Sequence, residues 1–429
     1  MAPGAFLIQR GSIMSMSFVA LVFLFGAIAL GFVKKSNVGL ISLGAVLVLG
    51  KLGNLPVGKL YGGFPGKLFL TLLGTMFFFA LLQENGTLDK ASKKLTRLCG
   101  TKVFLVPIVI YLVSFVLSAI GPGAISVQTV MVLFAVPLAF HLDASPILMG
   151  AMAILGAVGG TASPIALTGT IVGDLLGQMK IPMPGMAIFA GVTAANALCA
   201  LVTYLVFKGW KLRGQPVQSD PEPIVFDGQQ KLSLALIAAL FVSVVGFSQD
   251  VGFVCFLLAL ILLFTGKVDE KKAVKSLPWN TLILVCGISV LMNAVKLLGG
   301  IDLLARGLAS FMSPATAPAL MGLTGGIMSW FSSANGVVFP TLIPTVPQVA
   351  ANVGGASLIQ MVAAIVCSAT VAGISPMSTG GSLVMAGCAQ EKNGKENDSS
   401  LFAKLFGVSA MCVAIIFLFT LAGGLSFLQ

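Results

Sequence analysis

"GGTASPIALTGT", residues 159–170, places Gly, Ser, Thr and Pro in the middle of an apolar segment long enough to cross a bilayer. "GISPMSTGG", residues 373–381, does the same in the second half of the chain. Each holds a Ser-Pro pair, Ser163-Pro164 and Ser375-Pro376, and the pairs stand 212 residues apart. Proline inside a helix removes an i→i−4 hydrogen bond and clashes with the preceding turn, so each pair predicts a broken span. A break leaves carbonyls without donors before it and amides without acceptors after it. Two such breaks in matching places call for a common cause.

Composition sets the medium. Of 429 residues 57% are hydrophobic and 9% charged, and mean hydropathy is +1.03. Soluble domains carry roughly 25% charged residues. Apolar runs of about 17–25 residues recur along the chain, which reads as an all-α polytopic membrane protein embedded in a lipid bilayer. The seven Cys stand singly, without disulfide or zinc spacing. The first apolar run, Phe18–Phe32, leads straight into Lys34-Lys35 and another span, so no cleavable signal is expected.

Spans fall near 17–33, 37–50, 68–83, 144–176 and 185–207, and again near 231–248, 252–266, 278–298, 356–388 and 402–422. Residues 103–139 and 316–350 are different. Each is two apolar arms around a polar tip, "GPGAIS" at 121–126 and "SSANG" at 332–336. The arms look too short for comfortable crossings, so both segments read as re-entrant hairpins, tolerable where a tip is buried in protein or lines a cavity. Interfacial amphipathic helices at 87–99 and 300–312 precede the hairpins. An offset of 212 carries Gly121–Gly123 onto Ser333–Asn335 and Ser163 onto Ser375. The expected organisation is therefore repeat 1 over 1–212, a polar cytoplasmic linker at 213–230, and repeat 2 over 231–429. Five spans per half make the repeats inverted.

Charge supports that topology. With the linker cytoplasmic, the inside loops hold Lys34, Lys35, Lys90–Lys102, Lys208–Lys231, Lys267–Lys275, Lys392, Lys395 and Lys404. These make eighteen of the 25 Lys and Arg. The positive-inside rule then sets both termini outside and a multi-pass location in the cell's inner membrane. The net charge of +11 is spread over loops, not focused in one patch, which argues against nucleic acid as a partner.

Broken spans in matching positions of two inverted halves point to a transporter site at mid-membrane. Amide ends receive anions, and carbonyl ends with hydroxyls coordinate Na⁺. The substrate-facing candidates are Gly121, Pro122, Gly123, Ser126, Thr168, Ser332, Ser333, Asn335, Gly336, Ser378, Thr379, Gly380 and Gly381. The cation candidates are Gly160, Thr161, Ser163, Gly373 and Ser375. A lone Ser-Pro is more often a packing kink; two in register, each following a polar tip, favour the functional reading. "GAVGG" at 156–160 serves close packing equally well. His141 beside Asp143 reads as a solvated turn, and Asp174 as an interfacial charge. "GGFPGKL" at 62–68 mimics a phosphate loop but has the wrong spacing and no Ser or Thr after Lys67.

No Asp, Glu, Lys or Arg stands at the centre of either broken element, whereas a proton-driven antiporter needs one there. No loop is long enough for a nucleotide domain. The chain is thus expected to be a carrier, not an enzyme, and to need no cofactor. A passive channel is the alternative class.

At these residues the chain resembles the ion transporter superfamily, specifically the divalent anion/sodium symporters and the bacterial malonate/dicarboxylate carriers. "AIGPGAISVQTVMVLFAVPLA" (119–139), "FSSANGVVFPTLIPTVP" (331–347) and "SPMSTGGSLVMAG" (375–387) carry the resemblance. It implies an inverted-repeat fold, a homodimeric scaffold, a transport domain moving as an elevator, and a small organic dianion such as a C3–C4 dicarboxylate as substrate. The better-known symporters carry Ser-Asn-Thr at both tips. Here the tips are Gly121-Pro122-Gly123 and Ser332-Ser333-Ala334-Asn335, a departure that bears on sodium stoichiometry and substrate choice. Na⁺ is the expected coupling ion, because a dianion at mid-membrane needs more compensation than helix ends supply. Proton coupling, exchange, and carriage of another carboxylate or oxyanion are the alternatives.

The topology is checked by single cysteines at Ser92 and Ser219 in a chain without its native cysteines. Impermeant thiol reagents should label both only in permeabilised cells; labelling in intact cells overturns the inverted arrangement.

Overall fold

A computed structural model describes residues 3–34, 36–87, 90, 102–121, 123–212, 225–243, 247, 249–265, 268–277, 279–391 and 398–428. The expected helix at 87–99 and Pro122 lie largely or wholly outside these residues. The first half contains α1 (Pro3–Lys34), α2 (Val38–Leu52), α3 (Val57–Tyr61), α4 (Gly66–Glu84), α5 (Val106–Ala119), α6 (Gly123–His141), α7 (Pro146–Gly160), α8 (Leu167–Gln178) and α9 (Gly185–Val206). The second contains α10 (Gly228–Phe241), α11 (Val251–Phe264), α12 (Glu270–Ser276), α13 (Trp279–Leu297), α14 (Gly300–Ala309), α15 (Ala317–Phe331), α16 (Ala334–Val353), α17 (Leu358–Val371), α18 (Thr379–Glu391) and α19 (Asp398–Leu421). No strand occurs among the described residues.

The starts of α2, α4, α5, α7, α8 and α9 recur at α11, α13, α15, α17, α18 and α19, each within one residue of the 212 offset. The capping chemistry recurs with them. Ser145 accepts from the Leu148 amide at 3.3 Å, and Ser357, 212 residues on, accepts from the Gln360 amide at 3.4 Å. Asn37 and Asp250 likewise cap α2 and α11. A capping side chain satisfies an amide that the helix cannot.

Length and apolarity qualify five helices among the described residues to cross a membrane, or six when α13 and α14, bent by 85°, count as one. Two of the five, α6 and α16, belong to the segments expected as hairpins. Nineteen residues give α6 a length of about 28 Å, so the expectation of a short arm does not hold for it. The residues read as tip, Gly123 to Ser126, are its first turn. The α16 arm is irregular, with π and 3₁₀ turns where Pro340, Pro344 and Pro347 withdraw amides from the ladder.

Glycines let the backbones close. Gly39 of α2 and Gly287 of α13 lie back to back, and a Cβ on either would overlap the other helix's main chain. Gly252 of α11 and Gly74 of α4 repeat the crossing with the halves exchanged. Gly156 and Gly160 of α7 press on the Tyr111 and Phe115 carbonyls of α5, so "GAVGG" serves packing. A Cβ at Gly287 has nowhere to go, and overpacking costs about 1–3 kcal/mol. Gly287→Ala should therefore lower the thermal midpoint of the detergent-solubilised protein, while Gly407→Ala, with nothing within 4 Å, should leave it unchanged.

Candidate functional site

Each break folds back on itself. The Thr161 carbonyl accepts from the Gly169 amide at 3.1 Å, and the Ser163 carbonyl from the Ala166 amide at 2.9 Å. In the second break the Ser375 carbonyl accepts from both the amide and the Oγ of Ser378, each at 2.9 Å, and Ser378 Oγ also donates to the Gly373 carbonyl. Gly169 and Gly381, again 212 apart, have no Cβ because the Ser163 and Ser375 carbonyls occupy that space. Gly381 thus closes its loop and does not line the cavity.

Four helix starts, those of α6, α8, α16 and α18, reach one cavity of about 1370 Å³. Ala124 and Ile125, Thr168, Ala334 and Asn335, and Thr379 and Gly380 represent them in its wall. An aligned helix carries about half a positive charge at its start, so four starts make a site for negative charge. Of the sequence candidates, Thr168, Ser332, Ser333, Asn335, Ser378, Thr379, Gly380, Thr161 and Gly373 line this cavity. Thr168 Oγ1 donates to Asn335 Oδ1 at 2.9 Å in a buried bond that joins α8 to α16 across 167 residues of sequence.

The remaining candidates lie elsewhere. Gly121 (φ 145°) turns against the Phe79 ring, and Gly123 (φ 79°) against Leu167. Only glycine adopts such angles without strain. Gly336 packs on Leu284 and gives its amide to Ser333 Oγ at 3.1 Å. Ser126, Gly160, Ser163 and Ser375 are not part of the wall. The carbonyls at Gly160, Thr161, Ser163, Gly373 and Ser375, expected as cation ligands, all accept local hydrogen bonds. A hydroxyl is left over: Thr161 Oγ1 is buried in the wall with no hydrogen-bond partner among the described residues.

Sequence reasoning missed Gln128. It lies on α6, 5% exposed, faces the cavity, and has no hydrogen bond among the described residues. A lone amide in the run "VQTVMVLFAV" was the available signal. The described wall contains no Lys, Arg, Asp or Glu. It passes Asn37 and Ser36, in the turn after α1, and Asn280 at the start of α13.

An apolar helical body with a neutral, amide-rimmed cavity among broken helices belongs to a membrane transport protein, and the comparisons agree. Residues 14–161, about a third of the chain, match the family model described as "Dicarboxylate carrier protein MatC N-terminus". Among solved structures, it is similar to the Alcanivorax borkumensis YdaH transporter, whose crystal structure is described as revealing an unusual topology. Identity is 12% over 89% of this chain and 90% of that one, with a TM-score of 0.62, which shows a shared fold. No curated protein matches the chain. The protein is a transporter and not an enzyme.

The α8–α16 bond gives a direct check. Thr168→Val or Asn335→Ala strands a buried polar partner, at about 1–3 kcal/mol. Each should lower thermal stability, and the double variant should lose less than the sum of the two, as coupled groups do. Additive losses would mean that the bond contributes nothing.

Proposed function

We propose that this chain is a secondary active transporter of a small organic dianion, a C3–C4 dicarboxylate such as malonate, coupled to Na⁺. The observation that carries the reading is the convergence of four helix starts, with the Gln128 amide and the hydroxyls of Thr168, Ser333, Ser378 and Thr379, on one cavity without fixed charge. Two carboxylates need donors at two ends, and starts from both halves supply them. The helix starts offset only part of two negative charges, typically ~0.3–1 kcal/mol each. Na⁺ beside Thr161 and Gly373 would complete the compensation and raise substrate affinity, and substrate would raise Na⁺ affinity by the same factor.

The same reading takes the halves as inverted repeats, and the exchanged pairs α2–α13 and α11–α4 fit a two-fold relation. A second apolar cluster, mostly of α1, α2 and α13 with Val337 of α16 and Ile301 of α14 packed into it, fits a scaffold against which an elevator domain moves. Exposed apolar residues such as Phe18, Val22, Leu43 and Leu47 offer that scaffold a surface for lipid or for the second subunit of a homodimer. The cavity reaches the turn after α1, the side that the lysines assign to the cytoplasm, so this state faces inward in the inner membrane.

The test is malonate affinity of the purified protein against Na⁺ at fixed pH and ionic strength, then against pH without Na⁺. Affinity should rise with Na⁺, and Gln128→Leu should weaken it about tenfold, the loss of a hydrogen bond to a charged group. Affinity indifferent to Na⁺ but rising as pH falls toward the substrate's second pKa assigns the coupling to protons instead. Flux that never saturates and shows no trans-stimulation assigns a channel.

A further inference from the structure

A second cavity, of about 350 Å³, lies at the other end of three elements that build the first. The first cavity takes Thr168 of α8, Asn280 and Leu284 of α13, and Asn335 and Val337 of α16. The second takes Asp174 and Gln178 of α8, Ser289, Asn293 and Lys296 of α13, and Pro340 and Pro344 of α16. Between them stand Ile171, Val172, Val285, Ile288, Val338 and Phe339, all buried. Thr168 and Asp174 are six positions apart on α8, and Leu284 and Ser289 five apart on α13, a thickness of about 7.5–9 Å. The two cavities thus approach each other from opposite ends through a thin apolar wall.

Their charges differ. The first is neutral, whereas Lys67 and Lys296 stand in the wall of the second. One carboxylate accompanies them, and Asp174 Oδ2 accepts from Gln178 Nε2 at 2.7 Å. The segment "GGFPGKL" provides Lys67 and, through Gly62 and Gly63, one side of the cavity. Two cations against one carboxylate leave this concave wall net positive, which raises the local concentration of small anions.

We propose that this second cavity is an anion-collecting vestibule in which Lys67 and Lys296 hold a small free dicarboxylate on the face opposite the first cavity. The proposal rests on the transport reading for the ligand's identity, and on the two lysines for the site itself. An anion held there is one thin wall from the central site. No lysine is carried into that site, so the attraction ends where the substrate is handed on. A lipid phosphate has the same charge chemistry, and the test separates the two.

Ser289→Cys, in a chain without its native cysteines, reports on the vestibule directly. In phosphatidylcholine vesicles an anionic methanethiosulfonate should modify it about tenfold faster, relative to a free thiol, than a cationic one. Lys67→Gln with Lys296→Gln should remove that preference, and millimolar malonate should slow the reaction in the lysine-bearing chain only. No charge preference, or a preference that survives the double substitution, overturns the vestibule. Slowing by phosphatidylglycerol and not by malonate overturns the dicarboxylate assignment in favour of a headgroup. A transport assay separates failures: the double variant should raise KM for substrate offered on this face, leaving KM from the other face unchanged. If the charge preference holds while no dicarboxylate is carried, the transport reading fails and the anion site stands. Normal dicarboxylate uptake without the charge preference overturns the vestibule and leaves the transport reading in place.

Discussion

A backbone group without a hydrogen-bond partner in hydrocarbon costs several kcal/mol, and the two Ser-Pro breaks create such groups in the middle of the protein. The carbonyl side of the difficulty is met locally, by folding each break over the helix that follows. That fold requires glycine three residues into the new helix, at Gly169 and Gly381, because the Ser163 and Ser375 carbonyls fill the space of a Cβ. Part of the amide side is met in the same way, at Ala166, Gly169 and Ser378, and Thr168, Thr379 and Gly380 of the new helices stand in the cavity wall. The main core gathers residues of α4 to α19 around these breaks, shielding them from lipid.

The two halves match in helix positions and caps but not in the chemistry that faces the cavity. Thr168 and Asn335, which bond to each other, correspond by the 212 offset to Gly380 and Gly123. Gln128 corresponds to Pro340. In each pair one member brings a polar side chain to the cavity wall; of their counterparts Gly380 offers only backbone there, and Gly123 and Pro340 stand outside the wall.

The breaks were legible in the sequence because proline acts locally and the offset repeats. The hairpin arms were less so: polar residues from Gly123 to Ser126 looked like a tip, yet an N-terminal turn tolerates them as well as a loop does. The local hydrogen bonds to the carbonyls read as cation ligands were hidden for a similar reason. Whether the Ser375 carbonyl is free depends on where Ser378 turns, and that is decided by the path of the break. Gln128 went unnoticed because nothing in one dimension distinguishes an amide facing a cavity from one facing a neighbouring helix. Lys67 was set aside with a motif that did not fit, although its position beside Asp174 needs no motif.

The neutrality of the central cavity has an electrical meaning. An elementary charge crossing the whole membrane potential exchanges about 2.3 kcal/mol per 100 mV. A binding region with fixed charge would carry that work on every step, loaded or empty. Here the described wall carries none, so under the proposed transport cycle an empty return would move no fixed charge. The current of a full cycle is then the sum of the charges bound, and a dianion moves with the field, against it or indifferently according to how many monovalent cations accompany it. In such a protein the stoichiometry of the cargo, and not the protein's own residues, sets how membrane potential drives accumulation.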